Sequence, residues 1–213
     1  MTMTRIPAVE RRSALVAAAL RVVAERGVAQ ATTRAIVAEA GMSLASFHYA
    51  FASRDELMTE LIRHVMRAES TAVLPDPADA PADGQAPTGP TGPAALRLLL
   101  RHGLGRYAEH LRQDPLREKA MLELTQYALR SAEMQPLARE QYDGYHALAA
   151  LALTSAAEQS GSVWLRPVDE VARLLVALTD GLTIAWLVDR DDPATGALLD
   201  TIADAVAALG RPA

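Results

Sequence analysis

The stretch Thr32–Phe51, TTRAIVAEAGMSLASFHYAF, decides how the rest of the chain is read. It predicts two short helices joined by a tight turn. The hydroxyl of Thr32 can accept a hydrogen bond from a free N–H in a helix's opening turn, and Ile36, Val37 and Ala40 give that helix an inward face. Gly41 ends it, because a residue without a Cβ tolerates the left-handed backbone that closes a helix. Ser43 is placed to cap the next one. The second helix is only about two turns long and cannot bury itself. Phe47 and Phe51 must therefore anchor it, interleaved with the polar residues Ser46, His48 and Tyr49. A helix-turn-helix of this kind sets its second helix in the DNA major groove.

Upstream, Pro7 suits a first helical turn, and VERRSALVAAALRVVAERG runs to Gly27 with Val16, Ala19, Leu20 and Val23 on one face. That stripe covers the two short helices, giving a three-helix core too small to stand without further packing. Downstream, Ser53 and Glu56 form a capping box, and the helix they open carries Leu57, Leu61, Ile62 and Val65 at helical spacing. Beyond about Arg63 this helix outruns the small core, so it should join that core mechanically to the next domain. The predicted organisation is a helix-turn-helix domain over 1–52, a linking helix over 53–74, a mobile Pro/Gly-rich loop over 75–93 and a helical body over 94–213.

The body reads as helix throughout, with no alternating strand pattern, so the fold class is all-α. Its predicted helices run to Arg112, onward from Pro115, from about Pro136 to Glu158, from Pro167 to Asp189 and from about Pro193 to Leu209. The penultimate helix has two apolar rows. Val168, Val171, Leu175, Leu178, Leu182 and Ala185 form one, and Leu174, Ala177, Gly181, Ile184 and Val188 the other. One row can face its own core; the other needs a different partner, as does the row Leu198, Ile202, Val206 and Leu209 on the last helix. Pairing both helices with their copies in a second subunit would make a four-helix homodimer interface, and a wholly intrachain core is the alternative.

Half of the 213 residues are hydrophobic, enough for a sizeable core. The absence of cysteine excludes disulfides, thiolate metal sites and cysteine nucleophiles, and fits a reducing compartment. The N-terminus lacks the apolar core of a secretory signal, and no uninterrupted apolar run reaches the roughly 20 residues that span a bilayer. A soluble, cytoplasmic protein is expected, with no membrane partner. The formal net charge of -5 is unevenly spread. Up to Ala68 nine arginines face six acidic residues, a net +3, and the remainder is net -8. A basic head on an acidic body attracts phosphates at one end only.

The segment from Leu15 to Leu57 resembles the DNA-binding domain of the tetracycline-repressor (TetR) family of bacterial transcription regulators. The likeness runs through Ala19, Gly27, Thr32, Ile36, the Ala40-Gly41 turn, Ser43, Phe47, Phe51, Ser53 and Leu57, about a fifth of the chain. The resemblance implies a homodimer on a roughly palindromic double-stranded DNA operator, released when a small-molecule effector in the C-terminal domain alters the spacing of the recognition helices. Repression is its commonest outcome. It implies a phosphate contact for Thr33 and a base contact for Arg34, and a recognition surface of Ser43, Leu44, Ala45, Ser46, His48 and Tyr49, with Tyr49 on a phosphate. Arg54 is similar to a family position, usually lysine, that contacts the DNA backbone. His48 stands where the family usually has tyrosine, and Ala45 where it often has glycine. His48 either donates to a base or phosphate or fills space beside the DNA. Arg34 suits sequence readout, because its planar fork can bond guanine O6 and N7 together.

Candidates for an effector pocket are Tyr107, Leu124, Tyr127, Tyr145 and Trp186, since aromatic bodies with polar tips can line an apolar cavity and orient a ligand; core packing explains each as well. The pocket reads as mainly apolar. Asp180 beside Gly181 is a polar pocket group, a close helix crossing or a solvated turn. Two rival classes fit the residues less well. A helical-bundle enzyme would need paired Glu-x-x-His motifs, and the single Asp143-Gly-Tyr-His146 supplies too few ligands. An architectural DNA-binding protein without effector response would not need so large a C-terminal body. No catalytic residue, metal or cofactor is predicted.

Overall fold

The computed structural model describes residues 7–73, 91–130 and 132–213. The fold is all-α. Its helices are α1 (Ala8–Arg26), α2 (Thr33–Glu39), α3 (Leu44–Ala50), α4 (Arg54–Val73), α5 (Pro93–Gln113), α6 (Pro115–Arg130), α7 (Gln135–Ser160), α8 (Val168–Asp189) and α9 (Asp192–Ala207). They divide into two compact units. The first comprises Met1–Glu69 and Pro115–Gln141, the second Ser70–Asp114 and Tyr142–Ala213.

In the first unit the local signals act as their chemistry predicts. Thr32 Oγ1 accepts from the Ala35 N–H and Ser43 Oγ from the Ser46 N–H, both at 3.2 Å. Gly41 follows α2 with φ at +63°. Ser53 Oγ accepts from the Glu56 N–H at 3.0 Å, while Glu56 reaches back one residue further than a standard capping box, to the Ala52 N–H at 2.7 Å. One hydrophobic cluster unites Leu15, Val16, Ala19 and Val23 of α1 with Ile36, Phe47, Phe51, Leu57, Leu61 and Ile62. Ala120, Met121, Leu124 and Ala128 of α6 belong to the same cluster. The extra packing that three small helices require thus comes from α6 as well as from α4.

Glu123 of α6 also satisfies the chain just after α1. Its carboxylate accepts from the Val28 N–H at 2.6 Å, at the opening of a single 3-10 turn, Val28–Gln30. Gly27 precedes that turn at φ +83°, and a Cβ there would lie 3.0 Å from Glu123 Oε2. Glycine is favoured by the backbone angle, and a side chain there would also press on the Glu123 carboxylate.

The second unit packs α5, α8 and α9 around Leu96, Leu100, Leu104, Val171, Leu182, Leu199, Ile202 and Val206. Pro93, expected to end a loop, instead sits at the first position of α5, where its missing N–H costs nothing. The remainder of the Pro/Gly-rich stretch, through residue 90, lies outside the described residues. The expectation of no strand is corrected by β1 (Ser162–Trp164), which pairs antiparallel with β2 (Gly210–Pro212), Val163 opposite Arg211. Three-residue strands are too short to show a period-2 pattern. The ladder is extended by Leu165 N–H to Leu209 O at 2.8 Å and Ala213 N–H to Gly161 O at 3.0 Å.

The two apolar rows on α8 divide between core and surface, except that Ala185 of the core row is exposed, whereas α9 does not follow its expected row. Leu174, Ile184 and Val188 are 41%, 50% and 81% exposed, and Ala177 and Gly181 are exposed between them. On α9, Ile202 and Val206 are buried in the unit's own core, so their expected place at a partner surface is corrected. A helix with residues at both i and i+1 apolar offers more than one stripe, and the core took Leu199, Ile202, Ala203, Val206 and Ala207. The exposed row of α9 is Ala194, Leu198, Thr201 and Ala205. Among the described residues α8 is the one helix long and apolar enough to cross a membrane by length and composition, although Arg173 and Asp180 interrupt it; its apolarity reflects its two faces.

Gly210 fixes how closely β2 approaches α5. A Cβ at this position would stand 2.5 Å from Leu96 Cδ2, and Leu96 is fully buried. Gly210→Ala is expected to destabilise the protein by about 1–3 kcal/mol through overpacking. A thermal melt checks it; an unchanged midpoint would mean that Leu96 yields without cost.

Candidate DNA-binding site

The recognition surface is what remains of α3 once its anchors are buried. Phe47 is the one buried residue of the helix, and Phe51 just beyond it is equally enclosed, each 1% exposed. Ser43, Leu44, Ala45, His48 and Tyr49 are exposed, Tyr49 at 81%, and Ser46 is half-buried. The His48 ring stands edge-on to Phe47, centroids 5.6 Å apart, which fixes where its nitrogens emerge. Arg34 lies exposed in the first turn of α2, with Thr33 half-buried beside it. The structure brings these eight residues together on and beside the recognition helix.

The far end of α3 is braced by a residue that no local sequence pattern marks. Arg12 of α1 donates to the Ala50 carbonyl and, at 2.9 Å, to Glu56, and its guanidinium lies 4.1 Å from the Phe51 ring centroid. These partners are 38 and 44 residues away, so only the fold reveals them. The Ala52 N–H and then Arg12 hold the Glu56 carboxyl below its ordinary range. Arg21 and Glu39 pair at 2.8 Å between α1 and α2.

Arg54, expected at the DNA backbone, makes three intrachain hydrogen bonds. Its Nε donates to the Ala31 carbonyl and its Nη2 to the Val28 carbonyl, both at 2.8 Å, while Nη1 donates to the Tyr127 hydroxyl at 2.9 Å. Tyr127 in turn donates to Asp55 at 2.8 Å. The guanidinium is drawn inward because two carbonyls at the 3-10 turn and a phenol on α6 meet its planar fork. Burial, followed by the Asp55 carboxylate, pushes the Tyr127 hydroxyl's pKa up. Arg54 and Tyr127 also border a surface hollow of about 680 Å³, with Val28, Thr32, Glu123 and Arg130 on its walls.

The five effector candidates fall in both units. Leu124 and Tyr127 belong to the first unit, and Leu124 is fully buried in its core. Tyr107, Tyr145 and Trp186 belong to the second. There Tyr107 shares a hydrogen bond with Thr183, and Trp186 donates to Asp192 at 2.9 Å with Arg190 stacked 4.0 Å over its ring. The sequence did not group Tyr142 with Asp180, but Tyr142 donates to Asp180 at 2.9 Å. Burial is the first cause, and the Asp180 carboxylate the second, of a Tyr142 hydroxyl pushed up to about 12. Burial likewise raises the Asp180 carboxyl.

A family model for bacterial regulatory proteins of the tetR family matches residues 15–61, and one for the C-terminal part of BetI-type transcriptional repressors matches residues 95–211. The chain belongs to the TetR family. It is similar to the nicotine-responsive transcriptional repressor HdnoR of Paenarthrobacter nicotinovorans, with 29% identity over 206 residues, covering 94% of this chain and 96% of the relative. It is similar in structure to the multidrug binding protein EbrR complexed with ethidium (29% identity, 91% and 98% of the two chains, TM-score 0.62) and with malachite green (26%, 91% and 96%, 0.58). A regulator from Saccharomonospora viridis crystallised with choline shares the fold at 18% identity (96% and 100%, TM-score 0.72). The TetR-family chain is a ligand-responsive, DNA-binding transcriptional regulator.

The Glu56 brace makes the recognition helix sensitive to acid. A carboxyl held low when folded adds stability above its ordinary pKa of 4.5 and loses it as pH falls through the lower folded value. The melting midpoint should therefore drop below about pH 4.5 by more in the native protein than in Glu56→Gln, by a small margin because the pair is screened by solvent. Parallel pH profiles for the two proteins would remove Glu56 from that account.

Proposed function

We propose that this TetR-family regulator is a homodimeric repressor that binds a roughly palindromic operator and is released by a small, largely apolar organic effector. The observation that carries the DNA reading is the division of α3 into two buried phenylalanines and an outward face of Ser43, Leu44, Ala45, His48 and Tyr49, with Arg34 beside it. Thr33 and Tyr49 serve as phosphate contacts, and Arg34 as the base-reading residue. Arg54 acts by fixing the start of α4 rather than by touching the DNA backbone.

Dimerisation uses the exposed rows of α8 and α9, Leu174, Ala177, Gly181, Ile184 and Val188 with Ala194, Leu198, Thr201 and Ala205. Small residues in both rows let helices approach closely around the larger ones. The effector site draws on Tyr107, Tyr145 and Trp186. Ethidium and malachite green, bound by EbrR, and nicotine, to which HdnoR responds, all present aromatic rings, which supports an aromatic effector here. Effector binding favours an arrangement of the C-terminal helices that swings α4, so that two recognition helices no longer match successive major grooves. The protein is cytoplasmic and carries no catalytic activity or cofactor.

Arg34→Ala tests the assignment of sequence reading. It should weaken binding to operator DNA by about 1–3 kcal/mol more than binding to random duplex. Equal losses on both in a titration would reduce Arg34 to a phosphate contact.

A further inference from the structure

Asp180 lies midway along an otherwise apolar helix and is half-buried, with a Tyr142 hydroxyl at 2.9 Å as its hydrogen-bond donor. A hydroxyl does not neutralise a carboxylate. Among the described residues no arginine or lysine pairs with Asp180, and the nearest titratable neighbour that favours its charge is His146. No hydrogen bond among the described residues joins His146 to Asp180, and the buried Nδ1 of His146 has no hydrogen-bond partner. The cluster therefore holds a half-buried carboxyl and an unsatisfied ring nitrogen, and polar groups of this kind are costly to bury without a partner.

Its aromatic members extend the same logic. The Tyr142 and Tyr145 rings meet edge-on with centroids 5.6 Å apart, and the His146 ring stands 6.1 Å from Tyr142 at 63°. Tyrosine faces carry negative quadrupole density, so they attract a cation as the carboxylate does. Half-burial lowers the local dielectric and strengthens both attractions. A neutral occupant would leave Asp180 unpaired, and an anionic one would be repelled.

We propose that Asp180, with Tyr142, Tyr145 and His146, anchors an organic cation, its charged nitrogen on the Asp180 carboxylate and its apolar body against the tyrosine rings. This rests on the effector reading above and adds a charge to it. Burial raises the Asp180 carboxyl, and neither the Tyr142 hydroxyl nor His146 fully offsets it.

Two matched pairs of probes test the site by equilibrium binding to the full chain without DNA: nicotine against the non-basic lactam cotinine, and malachite green against its uncharged leuco form. The native protein should prefer the charged member of at least one pair. Asp180→Asn, which retains an acceptor for Tyr142, should lose that preference with about a tenfold fall in cation affinity while the neutral member is unaffected. Tyr142→Ala, which keeps the charge, should weaken the cation by a smaller factor of about fivefold. No preference for charge in either pair, or an Asp180→Asn protein that binds cations as tightly as the native one, overturns the anchor. Operator affinity is read separately: a cation that requires Asp180 yet leaves operator binding unchanged supports the site and overturns its role as the effector site.

Discussion

The burial of Phe47 and Phe51 is the constraint on which the rest of the molecule depends. A seven-residue helix does not form stably by itself in water, because nucleation costs more than so few hydrogen bonds return. The two rings, fully enclosed against α1, α2 and α4, bury enough apolar surface for about 1.5–3 kcal/mol each and convert a marginal helix into a fixed one. Every side chain α3 turns outward is then held at a defined angle. Arg12 strengthens the arrangement by meeting the Phe51 ring, the end of α3 and the first turn of α4 with one guanidinium.

A small reading head needs a larger core behind it, and the chain supplies this by returning. After α5 has entered the second unit, α6 brings Met121 and Leu124 into the first unit's core, Glu123 to the Val28 N–H, and Tyr127 to Arg54 and Asp55. The same helix thus packs apolar residues inward and uses its polar ones to pin the 3-10 turn and the start of α4. These polar contacts add direction to the apolar packing, because hydrogen bonds fix the 3-10 turn and the start of α4 against α6 at set positions. In the second unit, polar pairs such as Tyr107–Thr183 and Tyr142–Asp180 are set among side chains that are mainly Leu, Val, Ile and Ala.

The parts of this fold that were legible in the sequence are those governed by neighbours a few residues apart. Thr32, Gly41, Ser43 and the Ser53–Glu56 box act over one turn of helix, so their spacing is their geometry. That α8 carries two apolar rows was legible for a related reason, a 3.6-residue period that one core could not satisfy, although the spacing does not say which row faces outward. What was not legible depends on which surfaces meet. Nothing local distinguishes Ile202 and Val206, which face the core, from Leu198, which does not, and nothing marks α6 as a member of the first unit. The inward commitment of Arg54 needed Tyr127, 73 positions away, and the pairing of β1 with β2 joins segments nearly 50 residues apart. Among the candidate site residues, those on and beside α2 and α3 share one motif, so their placement within a single helix-turn-helix follows from sequence spacing alone. The effector candidates were chosen by side-chain type alone, and they fall in two different units.

The central claim is that two copies of α3, held by their phenylalanine anchors, read DNA as a symmetric pair. Selection from a random duplex pool by the full-length protein tests it most directly, at near-physiological salt because nonspecific attraction to phosphate falls steeply with ionic strength. The account predicts recovery of an inverted repeat with two equivalent half-sites, the imprint of a two-fold dimer. Recovery of no preferred sequence, or of a single asymmetric site, by folded and ligand-free protein would contradict it.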